Sequence, residues 1–197
     1  MQSKAIRLGI TGGIGSGKTY VCGLFRSLGC PVFDTDTSAR RLMSHDDALR
    51  RQLRALVSPD AFPESGLNKP LIRQFLHASP ANAARFDVLV HPAVRADWKR
   101  WNAERTEPVI VMECALLFEA DFQSEVDRVV AVTAPEDVRV SRVMNRDHIE
   151  APQVRRWIAM QMPDEEKARR ADFVIHNAPG DHPEAQVEAI LRQLGAL

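Results

Sequence analysis

At 197 residues, 45% of them hydrophobic, the chain has the size of one domain and enough apolar side chains to bury a sizeable core. Its 26 basic and 26 acidic side chains cancel, so it lacks the global positive field that draws a protein onto nucleic acid or anionic lipid, and neither partner is expected. The longest apolar run, near Val109 to Phe118, is interrupted by Glu113 and falls far short of the ~18 residues that cross a bilayer.

The first apolar segment, Ile6 to Ile10, is too short for the core of a signal peptide. Cys22, Cys30 and Cys114 lack metal-ligand spacing and are odd in number. Together these features predict a cytoplasmic protein with reduced thiols.

The run Ile6 to Ile10 stops at a glycine cluster, and after Lys18 apolar residues recur at Val21, Leu24, Phe25 and Leu28, one face of a helix. Gly29 supplies a stop, and Pro31 to Phe33 forms a second apolar run ending in Asp34-Thr35-Asp36. Strand, loop, helix and strand make a βαβ unit. Val109 to Met112, Val129 to Val132 and Phe173 to Ile175 are further buried-strand candidates, separated by helical stretches. The alternation predicts an α/β fold with a parallel five-stranded sheet flanked by helices.

Ser38 to Glu107 has no comparable strand run and is rich in Arg, Leu and Ala, so it reads as a helical insertion. A smaller helical segment, about Glu136 to Arg170, carries Arg139, Arg142 and Arg146 on one face and has the placing of a lid. Pro152 in a first turn divides that segment into two helices.

Gly12-Gly13-Ile14-Gly15-Ser16-Gly17-Lys18-Thr19 satisfies G-x-x-x-x-G-K-[ST] between a predicted strand and a predicted helix, the context that gives the pattern its meaning. Glycines let successive backbone N–H groups turn inward, and the helix N-terminus adds positive partial charge where phosphates sit. Lys18 would reach the β- and γ-phosphates of ATP, and the Thr19 hydroxyl would ligate Mg²⁺.

Asp34 and Asp36 fall at the carboxyl end of the second strand, where parallel sheets bind ligands. If the strand persists they point the same way, so either would hold Mg²⁺ or orient an attacking hydroxyl; the plain alternative is an Asx-turn. The arginines of the lid segment would neutralise phosphoryl charge, or simply be solvated. His91-Pro92 reads as a turn after an apolar helix. Glu113 resembles the acid ending a Walker B strand, or an acid reaching solvent.

Several separate segments then resemble the dephospho-coenzyme A kinase family in the same order along nearly the whole chain. They are Leu8 to Thr19, Asp34-Thr35-Asp36 followed by Ala39-Arg40, His91-Pro92, Leu116-Leu117-Phe118-Glu119, Arg142 to Asp147, and Phe173 to Asn177. The resemblance implies a P-loop kinase fold and ATP-dependent phosphorylation of the ribose 3'-hydroxyl of dephospho-coenzyme A. It further implies a nucleotide-binding core at 1–37, 108–135 and 171–197, a helical acceptor domain at 38–107 and a lid at 136–170.

In that reading Asp36 positions the acceptor hydroxyl and Arg142 and Arg146 close over ATP. Asn177 joins the nucleotide site, and His91, Leu116, Glu119 and Lys69 belong to the acceptor side. Ala115, Thr35 and Lys69 depart from the usual proline, alanine and arginine, and a lysine at 69 lacks the planar fork that grips phosphate bidentately. The rival expectations are a nucleoside monophosphate kinase of the same fold and a nucleotide-dependent switch.

Overall fold

The computed structural model describes residues 5–64 and 66–197. Contacts divide the chain into two compact units, Met1–Phe33 with Arg105–Leu197, and Asp34–Glu104; residues 136–170 fall in the first.

The first unit is built on a five-stranded sheet of order β2-β3-β1-β4-β5, with β1 at Ile6–Thr11, β2 at Val32–Asp34, β3 at Val109–Glu113, β4 at Arg128–Thr133 and β5 at Phe173–His176. The β1–β3, β1–β4 and β4–β5 pairs are parallel. Because strand side chains alternate, Leu8, Ile10, Val109, Val111, Val130, Val132 and Ile175 share one buried face. There they meet Val21, Cys22 and Phe25 of α1 (Lys18–Ser27) and Val187, Ile190 and Leu191 of α9 (Pro183–Gln193).

The alternate residues are also buried, as a parallel sheet covered on both sides requires. Among them Gly9 makes room for a neighbour, since a Cβ there would lie 2.8 Å from Leu117 Cδ1. The three cysteines are free and buried, and burial pushes the Cys30 thiol up to about 11.

Residues 136–170 form three helices rather than two: α6 (Glu136–Asp147), α7 (Ala151–Ala159) and α8 (Asp164–Arg170). Pro152 lies in the first turn of α7 as expected. The additional break falls at Met162-Pro163, because a residue before proline is pushed out of the helical region. Val140, Val143 and Val154 make a small core of their own, joined by Ile14 and Trp157.

The second unit is helical: α2 (Thr35–His45), α3 (Asp47–Leu56), α4 (Lys69–Ala78) and α5 (Pro80–Ala103). All three shorter helices pack on α5, whose Phe86, Val90, Val94 and Trp98 recur every fourth residue and are buried. Asp97 joins α2 to α5 by accepting from Ser38 Oγ at 2.6 Å and Arg41 Nη2 at 2.5 Å.

Two expectations are corrected in this unit. His91-Pro92 is not a turn, since α5 runs through it to Ala103. Proline deprives the carbonyl four residues back of its donor, and that residue, Val88, lies on the exposed side of the helix at 71% exposure. Nor does the second strand persist to Asp36. It ends at Asp34, whose side chain accepts from the N–H groups of Asp36 and Thr37 and caps α2.

Candidate active site

The loop between β1 and α1 takes its shape from backbone positions that side chains reject. Gly12, Gly15 and Gly17 have positive φ, and a Cβ at Gly15 would lie 2.5 Å from the Arg139 carbonyl oxygen. At Gly17 it would lie 2.1 Å from Asn177 Nδ2. Gly17 is the N-cap of α1 and offers no side-chain acceptor, so the helix opens with its first N–H groups left to the loop. An N-terminus of this kind suits an anion.

Around the loop stand groups from distant parts of the chain. Asn177 follows β5; its side-chain amide donates to Ser16 O at 2.8 Å and its backbone carbonyl accepts from Arg142 Nη2 at 2.8 Å. Arg142 also reaches the carbonyls of Gly15 and Ser16, each at 3.4 Å. Lys18 is half-buried at the start of α1.

Thr19 Oγ1 donates to Glu113 Oε1 at 2.6 Å, which joins the loop to the end of β3. A hydroxyl beside a carboxylate is the oxygen donor set that a hard divalent cation takes, so these residues fit Mg²⁺. Among the described residues no cluster of three or more His, Cys, Asp or Glu forms a metal cage.

The three arginines that share a face of α6 have different surroundings. Arg139 is 5% exposed, donates from Nε to Ile14 O at 2.9 Å and pairs with Asp164 at 2.8 Å. It belongs to the base of the loop and is not a solvated cation. Arg142 joins the loop to Asn177, whereas Arg146 is exposed and bound to Asp147. Burial raises the Asp164 carboxyl above the ordinary range, against the opposing pull of Arg139 and the Gly13 N–H.

Leu116 and Glu119 lie on the segment after β3. Leu116 is 41% exposed. Glu119 is engaged within its own unit, with Oε1 3.0 Å from Lys167 Nζ and accepting from Met162 N at 3.1 Å. Lys167, fully buried on α8, also donates to Ala115 O at 2.9 Å.

In the helical unit Asp34 is occupied as a cap, also accepting from Thr37 Oγ1 at 2.6 Å. Asp36 is exposed in the first turn of α2, and Lys69 is exposed at the start of α4. His91 is half-buried on α5, and burial lowers its pKa although Asp87, 3.5 Å away, pulls the other way.

Sequence reading passed over Gln161, Asp164 and Lys167. The only local signal is Pro163-Asp164-Glu165-Glu166, a proline and acids at a helix start, which says nothing about what the carboxylate meets.

Against known proteins, the dephospho-CoA kinase family profile matches residues 6–182. A dephospho-CoA kinase of Bacteroides fragilis is 39% identical over 180 residues, covering 91% of this chain and 87% of that one. A Thermus thermophilus crystal structure superposes with a TM-score of 0.86 at 32% identity, over 98% of this chain and 99% of its own. The dephospho-CoA kinase of Campylobacter jejuni shares the fold at a TM-score of 0.66 and 19% identity, over 96% of each chain. The strand order, the glycine loop on α1 and these likenesses agree, and the chain belongs to the dephospho-CoA kinase family.

Proposed function

We propose that this chain transfers the γ-phosphoryl group of ATP to the ribose 3'-hydroxyl of dephospho-coenzyme A, giving coenzyme A and ADP in the last step of coenzyme A biosynthesis. The observation that carries the reading is the Gly12–Thr19 loop, shaped by positive-φ glycines and opening onto a helix with no side-chain cap. Fixed backbone donors aimed at phosphate oxygens need no reorganisation when charge develops, which is the largest advantage a site of this kind offers.

The Gly12–Thr19 loop holds the phosphates, with Lys18 on the β- and γ-groups, while Gly13 and Ile14, whose N–H groups donate to Asp164 and Gln161, serve it through the shape of the loop. Thr19 and Glu113 would hold Mg²⁺, which would supply neutralisation of phosphate charge. Asp34, committed to capping α2, is left out of that metal shell. Arg142 and Asn177 fix the far wall of the loop, and Arg146 is the exposed arginine left to close on the nucleotide.

Asp36 orients the acceptor hydroxyl and takes its proton. Because phosphoryl-transfer transition states are largely dissociative, its positioning matters more than its basicity. Leu116, Lys69 and His91 serve the acceptor side, and Glu119 serves it indirectly by holding the segment that carries Leu116. Among the described residues no helix is long and apolar enough to cross a membrane, and three free thiols suit a reducing cytoplasm.

ADP release measured with dephospho-coenzyme A, AMP, dTMP and no acceptor tests the reading. Stimulation by dephospho-coenzyme A alone is expected. Stimulation by AMP or dTMP instead would make the chain a nucleoside monophosphate kinase, and acceptor-independent hydrolysis would make it a switch.

A further inference from the structure

The phosphate loop is gripped from behind by all three parts of the 136–170 segment. Gly13 N–H donates to Asp164 Oδ1 at 3.1 Å, from the first residue of α8. Ile14 N–H donates to Gln161 Oε1 at 2.8 Å, just past α7, and Ile14 O accepts from Arg139 of α6 at 2.9 Å. The ion pair of Arg139 with Asp164 closes the ring at 2.8 Å. The N–H groups of Gly13 and Ile14, the second and third residues of the glycine loop, and the Ile14 carbonyl with them, are thereby held by side chains more than a hundred residues away.

The clasp also accounts for a residue identity. A Cβ at Gly13 would stand 2.1 Å from Arg139 Nη2 and 2.6 Å from Asp164 Oδ1. The space beside the second glycine of the motif is therefore taken up by the Arg139–Asp164 pair.

We infer that Gln161 and Asp164 are positioning residues for phosphoryl transfer: they hold Gly13 and Ile14 so that the loop has its phosphate-accepting form before the nucleotide arrives. The inference rests on the reading of Gly12 to Thr19 as the ATP site. A loop ordered in advance binds without the cost of ordering on contact, so losing the clasp weakens ATP binding. Neither side chain touches the acceptor in this account, so acceptor affinity stays unchanged.

The test uses the full chain, with ATP binding followed by titration calorimetry without acceptor and steady-state kinetics followed with dephospho-coenzyme A. Gln161→Met keeps the length of the side chain and removes the acceptor for Ile14 N–H; Gln161→Glu restores it. The expected result is a rise of about tenfold in both Kd and KM for ATP in Gln161→Met, equivalent to about 1.4 kcal/mol. KM for dephospho-coenzyme A should hold, and Gln161→Glu should return to within about threefold of the parent.

Asp164→Asn keeps an acceptor for Gly13 N–H but loses the charge pairing with Arg139, and should weaken ATP binding as well. Gln161→Met therefore keeps the test open if Asp164→Asn fails to fold. Parental ATP affinity in Gln161→Met overturns the inference, as does a loss shared equally by Gln161→Met and Gln161→Glu. A parent chain that binds no ATP overturns the underlying reading instead, and is seen before any variant is made.

Discussion

The two units solve the problem of helix ends in opposite ways. In the helical unit, α2, α3, α4 and α5 each begin on a side-chain cap, from Asp34, Asp46, Asn68 and Ser79. Among the described residues of the other unit, α1, α6, α7, α8 and α9 have none. Capped helices are self-sufficient, and an uncapped one keeps donors for something else.

The polar networks differ in the same sense. Around the glycine loop, buried side chains bond to backbone atoms and fix a peptide shape, whereas in the helical unit the candidate residues Asp36 and Lys69 are exposed side chains at helix starts. In the proposed reading one unit works through its backbone and the other through individual side chains, so substitutions should fail differently in each.

The sharpest break is Asp36→Asn. If chemistry on the helical side rests on that one exposed carboxylate, kcat should fall by about 10² to 10⁴, the usual worth of a positioned acid or base. ATP affinity and melting temperature should stay near those of the parent, and unchanged turnover would sink the assignment.

Gly15→Ala probes the other strategy. It combines a φ of 80° with a clash against the Arg139 backbone, so a loss of roughly 3 kcal/mol or more is expected in denaturant unfolding, with ATP binding lost alongside. A stable, ATP-binding Gly15→Ala protein would show that the loop is not shaped by its backbone.

Next comes Lys167→Met, which leaves Glu119 and Ala115 O without their buried cation. Breaking a buried pair costs about 3 to 5 kcal/mol, and partial exposure of Glu119 puts this one near the lower figure. Urea midpoints of the parent and the variant check it.

The smallest effect belongs to Asp97 in the helical unit. Burial by itself raises this carboxyl, but hydrogen bonds from Ser38, Arg41 and Arg100 outweigh it and hold it below its ordinary value. A depressed folded-state pKa stabilises above the ordinary aspartate value of about 3.9, and that stabilisation is lost as pH falls through the folded value. Asp97→Asn should therefore cost about 1 to 3 kcal/mol near neutrality and flatten the decline of stability below about pH 4. A variant that keeps the parent's acid profile would assign that decline to other carboxylates.

Much of the architecture was legible because it is written in local patterns. Five short apolar runs separated by helical stretches announce a parallel sheet, and G-x-x-x-x-G-K-[ST] between strand and helix announces a phosphate loop. What misled were places where two local rules compete. Asp34 reads as a strand end with a pointing carboxylate, yet its side chain turns back to cap the next helix, which puts Asp36 on α2. His91-Pro92 reads as a turn after a helix, yet α5 runs through it, with Val88, whose carbonyl loses its donor, on the exposed side.

By itself the sequence determined the sheet, the loop and its phosphate chemistry, since glycine spacing and apolar periodicity act within a few residues of where they are read. Only the tertiary structure decided what the charged side chains do. Asp164 and Gln161 bond to loop residues 151 and 147 positions away, and Thr19 meets Glu113 across 94. Contacts at such separations follow from strand order and helix packing, which bring ends of different strands to one edge of the sheet. A carboxylate's partner, and with it the role of Arg139 as clasp or solvated cation, is chosen there.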